Sequence, residues 1–91
     1  MVNIKKDYLV SSFARSSIDQ GEFIILNMKT GKFFGLDSVG SDMWRLLELK
    51  FGTQKIIEQL KLEYDVPEET LNKDIMELFL KMEKEELIYR V

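Results

Sequence analysis

Short apolar runs alternate with turn-forming residues along the first third of the chain. Segments 8–18 (YLVSSFARSSI) and 22–28 (EFIILNM) are rich in β-branched and aromatic residues, and residues 19–21 (DQG) between them form a turn sequence. A second turn at 28–31 (MKTG) places glycine where a hairpin with a bulge needs a positive φ, and residues 32–36 (KFFGL) follow it. This pattern predicts three short antiparallel strands.

A helical spacing of apolar residues begins at residue 39. Four of them share one face of a first helix, at i, i+4, i+7 and i+8: Val39, Met43, Leu46 and Leu47. Asp37 or Ser38 can accept hydrogen bonds from the free N–H groups at its start, and we expect Gly52 to end it after Phe51. Trp44 lies on this amphipathic helix, and we expect its side chain in the core.

Two further helices follow. Thr53 is a candidate cap for a second helix, which has apolar residues on one side at Ile56, Ile57, Leu60 and Tyr64. Pro67 is tolerated in the first turn of a third helix, and the two glutamates after it suit the positive end of the helix dipole. We expect this helix to reach about Glu85, with a possible short strand at 87–91. The order predicts an α+β fold like a winged helix-turn-helix: a three-stranded antiparallel sheet followed by three helices.

The third helix carries more apolar surface than one contact requires. One stripe is expected to face the core, formed by Leu71, Ile75, Leu78 and Met82. Three more apolar residues widen it to one side: Met76, Phe79 and Leu80. Either the helix is central and packs on two sides, or this flank and the aromatic third strand line a groove. The same flank could also pair two copies of the chain.

Composition narrows the possible functions. The chain has 91 residues, 45% hydrophobic and 32% charged, which fits one soluble globular domain over 1–91. No apolar run approaches the roughly 20 residues that span a bilayer, and the N-terminus does not resemble a signal peptide, so we expect a cytoplasmic protein without a membrane partner. The chain has no cysteine and no histidine, which removes thiol nucleophiles and the commonest general base. We expect no catalysis, metal or cofactor.

Charge argues against nucleic acid, although the predicted architecture makes DNA the first candidate. The segment from Pro67 to Glu86 has seven acidic and three basic residues, and none of them is arginine. A recognition helix gains affinity by neutralising phosphates and reads guanine through arginine. A helix with this charge would repel the DNA backbone, so we expect no nucleic-acid partner.

A binding module remains, and the third strand suggests how it could bind. An edge strand has unpaired N–H and C=O groups to which an extended peptide can add. Phe33 and Phe34 should point to opposite faces, one toward the core and one toward a bound peptide. Gly35 would let a partner backbone approach closely.

The segment ILNMKTGKFFGLDSVGSDMWRLLE resembles the signature of the PqqD-like family. The matching positions are Leu26, Thr30, Gly31, Lys32, Phe33, Phe34, Gly35, Leu36, Asp37, Val39, Gly40, Met43 and Trp44. The similarity continues through LKLEYDVPEETLNKDIMELFLKMEKEELI, so it covers essentially residues 8–88. Glu86 departs from the family pattern, which usually has glycine there, and Leu80 is apolar where many relatives are polar.

This resemblance implies a winged-helix-like recognition element for ribosomally made, post-translationally modified peptides. In such domains the leader of the precursor peptide adds to the third strand and packs on the third helix. By position, the strand side would be Lys32, Phe33, Phe34, Gly35 and Leu36, and the helix side Leu71, Asp74, Ile75, Leu78 and Phe79.

The sequence is most similar to the stand-alone recognition proteins of lasso-peptide pathways. Its implied partners are a precursor leader peptide and a separate leader peptidase or modifying enzyme. The alternatives are a pyrroloquinoline quinone-type peptide chaperone for a radical enzyme and a winged-helix DNA-binding regulator. We expect a monomer or a weak homodimer.

Overall fold

The computed structural model describes residues 7–91, which form five strands and three helices. In chain order these are β1 (Tyr8–Val10), β2 (Ala14–Asp19), β3 (Glu22–Asn27), β4 (Phe33–Gly35), α1 (Ser38–Glu48), α2 (Thr53–Glu63), α3 (Glu68–Lys84) and β5 (Ile88–Arg90). Strands β2, β3 and β4 form an antiparallel three-stranded sheet in that order, followed by the three helices. The predicted α+β fold is confirmed. The first six residues belong to the N-terminus that is not expected to be a signal peptide, and they lie outside the described range.

The predicted first strand is wrong in one respect, because segment 8–18 forms two strands in different sheets. Strand β1 pairs antiparallel with β5, at the far end of the chain, while β2 pairs with β3. The break occurs at Ser11, whose N–H donates to the Leu87 carbonyl at 2.9 Å. Its hydroxyl donates to the Glu86 carbonyl at 2.7 Å. These bonds hold the chain against the end of α3, so it turns before β2 begins.

The two hairpin turns need positive φ values, and the sequence provides for them. Gln20 and Gly21 have φ of 53° and 84°, which match the right-handed twist of the β2–β3 hairpin. Gly31, with φ of 77°, completes the turn from β3 to β4. Within this turn the Asn27 side chain accepts from the Lys29 N–H at 2.9 Å. The turn therefore has a fixed shape before β4 starts.

Helix α1 begins as predicted and ends earlier than predicted. Asp37 is its N-cap, and Oδ1 accepts from the Gly40 N–H at 2.8 Å. The helix ends at Glu48 rather than at Gly52, because Lys50 takes a φ of 67°. The Phe51 N–H then donates back to the Leu46 carbonyl at 3.1 Å, an ending in which glycine usually occupies the position of Lys50.

The predicted cap of α2 is also wrong, since Thr53 is the first helical residue and Gly52 stands at the N-cap. Glycine has no side chain to accept a hydrogen bond. Asp7 supplies the acceptor from a distant part of the chain, and its Oδ1 lies 3.0 Å from the Thr53 nitrogen. A local sequence pattern cannot reveal a cap of this kind.

The core lies between the three-stranded sheet and the helices. Trp44 is fully buried there, as predicted, and Ile25 of the central strand is equally inaccessible. The buried face of α3 differs from the predicted stripe, because Phe79 is fully buried and Leu78 is only half-buried. The Phe79 ring packs at 4.9 Å from the ring of Tyr8 in β1. The β1–β5 pair, absent from the predicted sheet, supplies that contact.

Candidate functional site

Strand β4 forms an edge of the three-stranded sheet, and no other strand among residues 7–91 pairs with its outer side. The Asn27 N–H donates to the Lys32 carbonyl at 2.9 Å, and the Leu36 N–H donates to the Phe23 carbonyl at 3.0 Å. Hydrogen-bonded pairs alternate along antiparallel strands, so the pair between these two, Ile25 and Phe34, is also hydrogen-bonded. The N–H and C=O groups of Phe33 and Gly35 therefore point to the open edge.

Helix α3 lies beside this edge, and a groove of about 720 Å³ separates the two. Its lining residues come from β4, the start of α1 and one side of α3. They are Phe33, Phe34, Gly35, Leu36, Asp37, Val39, Gly40, Asp74, Ile75, Glu77, Leu78, Lys81, Met82, Glu85 and Leu87. An extended segment in the groove would meet backbone groups on one side and helical side chains on the other.

The helix runs antiparallel to β4. At one end, Lys32 precedes β4 and its Nζ lies 3.9 Å from Oε1 of Glu85, which follows α3. At the other end, a Cβ placed on Gly40 would lie only 3.3 Å from Cδ2 of Leu78. Any larger residue at position 40 would push against the groove wall, which explains the use of glycine inside α1.

Most of the residues that the sequence suggested for the site lie together in the groove. Its lining includes four of the five strand positions and three of the five helix positions: Phe33, Phe34, Gly35, Leu36, Asp74, Ile75 and Leu78. Lys32 lies at the rim beside Glu85 and does not line the groove. Leu71 and Phe79 are buried in the core, with 2% and 0% of their surface exposed, and do not line it either.

The two phenylalanines of β4 point to opposite faces of the sheet, as alternation along a strand requires. Phe34 stands opposite the buried Ile25 and packs against the core. Phe33 stands opposite Leu26 on the outer face, and 69% of its surface is exposed. Both residues border the groove, and their side chains lie on opposite faces of the strand to which a segment would add.

The sequence interpretation identified Asp74 but missed the start of α1 and two other charged residues of α3. Val39 and Gly40 line the groove because the chain turns directly from β4 into α1. Glu77 and Lys81 lie at i+3 and i+7 from Asp74, on the same side of α3. That spacing is visible in the sequence and could have identified both residues.

Other kinds of site find little support in the described part of the chain. Within residues 7–91, no group of three or more acidic, histidine or cysteine side chains could hold a metal ion. No helix in that range is long and apolar enough to cross a bilayer.

The open strand and the helical wall beside it define a winged-helix-like domain with a groove suited to an extended peptide. Residues 22–88 match the family described as coenzyme PQQ synthesis protein D, PqqD. Since this match covers well over half of the chain, the protein belongs to the PqqD family. No curated protein matches the sequence.

Two solved structures share the fold. TbiB1 in complex with the TbiA(beta) leader peptide is 31% identical, with a TM-score of 0.83 over 88% of this chain and 93% of that chain. A lasso peptide synthetase B1 complexed with the leader peptide is 13% identical, with a TM-score of 0.81 over 91% of this chain and 98% of that chain. At 13% identity the second comparison bears on the fold alone.

Proposed function

We propose that this protein binds the leader segment of a ribosomally made precursor peptide in the groove between β4 and α3. The observation that carries the proposal is the open edge at Phe33 and Gly35, which lies across the groove from the apolar and charged side chains of α3. A leader added as a fourth strand would pair with these groups and place alternate side chains against Leu78 and Phe34. The 31% identity to TbiB1, solved with a leader peptide, supports this assignment.

The protein's task is delivery rather than catalysis. A domain that holds the leader raises the effective concentration of the attached core peptide at an enzyme, without contacting the core. We propose that the recipients are a separate leader peptidase and a modifying enzyme of lasso-peptide maturation. Because the precursor is made on ribosomes, this step belongs in the cytoplasm.

A second candidate follows from the family description. PqqD is described as a coenzyme PQQ synthesis protein, so the bound peptide could be the precursor of that cofactor. Leader binding by strand addition would be the same in both pathways. The two differ in the precursor that binds most tightly, and direct comparison of the two leaders distinguishes them.

Fluorescence polarisation with a labelled synthetic leader tests the proposal. The probe is the leader of the precursor encoded beside this chain's gene, with its core segment and a DNA duplex as comparison ligands. We expect the leader to bind with a sub-micromolar Kd, a binding free energy on the order of −8 kcal/mol or better. The core segment and the DNA duplex should not bind. Salt-sensitive DNA binding without leader binding would instead indicate a regulator.

Two substitutions at one position test the strand-addition site. Gly35→Pro removes an N–H that points to the open edge and leaves the bonds to β3 intact, so it should abolish leader binding. Gly35→Ala is the comparison variant, because it keeps the N–H and its Cβ meets no atom of the protein within 4 Å, so it should bind the leader more tightly than Gly35→Pro. A folded Gly35→Pro variant with unchanged leader affinity would refute strand addition at β4.

A further inference from the structure

The charges along the groove are unevenly distributed. Asp74 and Glu77 project from α3 at the end of the groove where β4 leads into α1, and Asp37 lies at the same end. The basic residues, Lys81 and Lys32, lie toward the other end. One end of the groove is thus acidic and the other mixed.

Asp74 and Glu77 have no basic partner in the described part of the protein, whereas Asp37 caps the N-terminus of α1. Two acids outside the groove have basic partners: Glu68 pairs with Lys61 at 3.0 Å, and Glu83 pairs with Arg90 at 2.9 Å. Within residues 7–91, neither Asp74 nor Glu77 forms an ion pair, although Lys81 is one turn from Glu77. Two unpaired carboxylates beside the apolar surface of a groove favour a cationic ligand group.

The direction of strand addition determines which part of the ligand meets these carboxylates. All pairs in the three-stranded sheet are antiparallel, and an added strand in the same mode would run opposite to β4. Its N-terminal part would then lie beside the carboxyl end of β4, where Asp37 and Asp74 are found. Its C-terminal part would lie toward Lys32.

We propose that the leader recognised by this protein carries a lysine or arginine on the N-terminal side of its apolar anchor, placed over Asp74 and Glu77. The anchor is the apolar side chain that packs against Leu78. This inference rests on the proposed function and adds a charge requirement to it. The apolar side chains of α3 provide contact area, while its acidic residues set the register and direction of the peptide.

Neutralising the two carboxylates tests the charge requirement without disturbing the core. Both side chains are exposed, so Asp74→Asn with Glu77→Gln should fold normally. We expect leader affinity to fall about three- to tenfold, since exposed charge pairs contribute modestly. The difference from wild type should shrink as NaCl rises from about 50 mM to about 500 mM, because salt screens exposed charges. The matched control is Glu58→Gln with Glu63→Gln on α2, outside the groove, which should bind like wild type.

A charge swap tests direction. In the probe, each lysine or arginine N-terminal to the anchor is changed to glutamate, and in the protein Asp74→Lys is combined with Glu77→Lys. Each change alone should weaken binding, and the two together should restore most of the affinity. The same peptide change on the C-terminal side of the anchor should not be rescued.

The outcomes separate this inference from the proposed function. Failure of the wild-type protein to bind any leader would overturn both. Normal leader binding that requires the Gly35 N–H, yet is unaffected by neutralising Asp74 and Glu77, would overturn the charge requirement alone. A bound leader with no basic residue N-terminal to its anchor would do the same.

Discussion

Asn27 and Glu85 join the two walls of the groove, because Nδ2 of Asn27 donates to the Glu85 carbonyl at 2.9 Å. The same side chain shapes the turn into β4, where Oδ1 accepts from the N–H groups of Lys29 at 2.9 Å and Thr30 at 3.2 Å. Asn27 is 2% exposed. One buried amide therefore positions the edge strand relative to the end of α3.

Removing this amide should destabilise the protein. Asn27→Ala loses three hydrogen bonds at a buried position, and we expect the free energy of unfolding to fall by about 1–3 kcal/mol in urea denaturation. Asn27→Asp keeps both turn acceptors but sets a carboxylate oxygen against the Glu85 carbonyl in place of the donor, so it should destabilise the protein by at least the value of that bond. An Asn27→Asp variant as stable as wild type would mean that this contact contributes nothing.

Asn72 provides the matched control. Its Oδ1 is buried and has no hydrogen-bond partner among residues 7–91, and the residue lies within α3. Asn72→Ala removes no bond through this atom and introduces a better helix former. We expect its unfolding free energy to equal or exceed that of wild type.

Glu86 occupies a backbone conformation that glycine adopts more easily. Its φ is 61°, and the Leu87 N–H donates back to the Met82 carbonyl at 2.9 Å, which ends α3 in a left-handed turn. Glu86→Gly should raise the free energy of unfolding by about 1 kcal/mol, because a side chain in the left-handed region is strained. Chemical denaturation measures the change.

The Glu86→Gly substitution also removes the ion pair between Glu86 and Lys29, and this loss offsets part of the gain. The N–O distance of the pair is 2.9 Å, but both side chains are mostly exposed, so its contribution should be below about 1 kcal/mol. Lys29→Ala removes the same ion pair together with the contact of Nζ over the Phe13 ring, 4.9 Å from its centroid, and so gives an upper limit to that contribution. A Glu86→Gly variant less stable than Lys29→Ala would show that backbone strain at residue 86 is negligible.

The sequence could predict elements that depend on neighbouring residues. Alternation and turn residues identified β3 and β4, and helical spacing identified the three helices. The sequence predicted a possible strand at 87–91 but not its pairing with β1. The bond that breaks the first strand joins Ser11 and Glu86, which are 75 positions apart. A contact between such distant residues cannot be predicted from the local sequence.

The groove could be predicted only in part, because some of its residues are positioned by contacts that are distant in the sequence. Strand alternation brings Phe33 and Phe34 to its border, but helical spacing placed Leu78 in the core and Phe79 on the flank, whereas Phe79 is the fully buried one. Leu78 and Phe79 are adjacent, so their side chains differ by about 100° of rotation around the helix axis. The choice depends on Tyr8, whose ring packs on Phe79 and whose strand was assigned to another sheet.

Tyr64 should make stability sensitive to alkaline pH. Its hydroxyl donates to Oδ2 of Asp42 at 2.5 Å, linking the end of α2 to α1. Burial, followed by this hydrogen bond and the charge of Asp42, raises the pKa of Tyr64 from 10.0 to about 12. The protonated phenol is thus favoured in the folded state.

The sign of the effect follows from linkage. The stabilisation is complete below pH 10, the unfolded pKa, and is lost as pH rises through about 12, the folded pKa. Between these values the unfolding free energy of wild type should fall more steeply than that of Tyr64→Phe, which has no phenol to ionise. Urea midpoints measured at several pH values give both slopes. Parallel slopes would contradict the raised pKa.

Leu78 and Leu80 provide a matched pair of truncations for the helical wall of the groove. Leu78 is half-buried and lines the groove, whereas Leu80 is 51% exposed and lies outside its lining. Leu78→Ala should weaken leader binding by about tenfold, since it removes apolar contact worth 1–2 kcal/mol. It should also cost some stability, although less than the roughly 2–5 kcal/mol of a fully buried leucine. Leu80→Ala should change neither quantity appreciably. Equal loss of affinity in the two variants, measured where both are folded, would place the leader on a different face of α3.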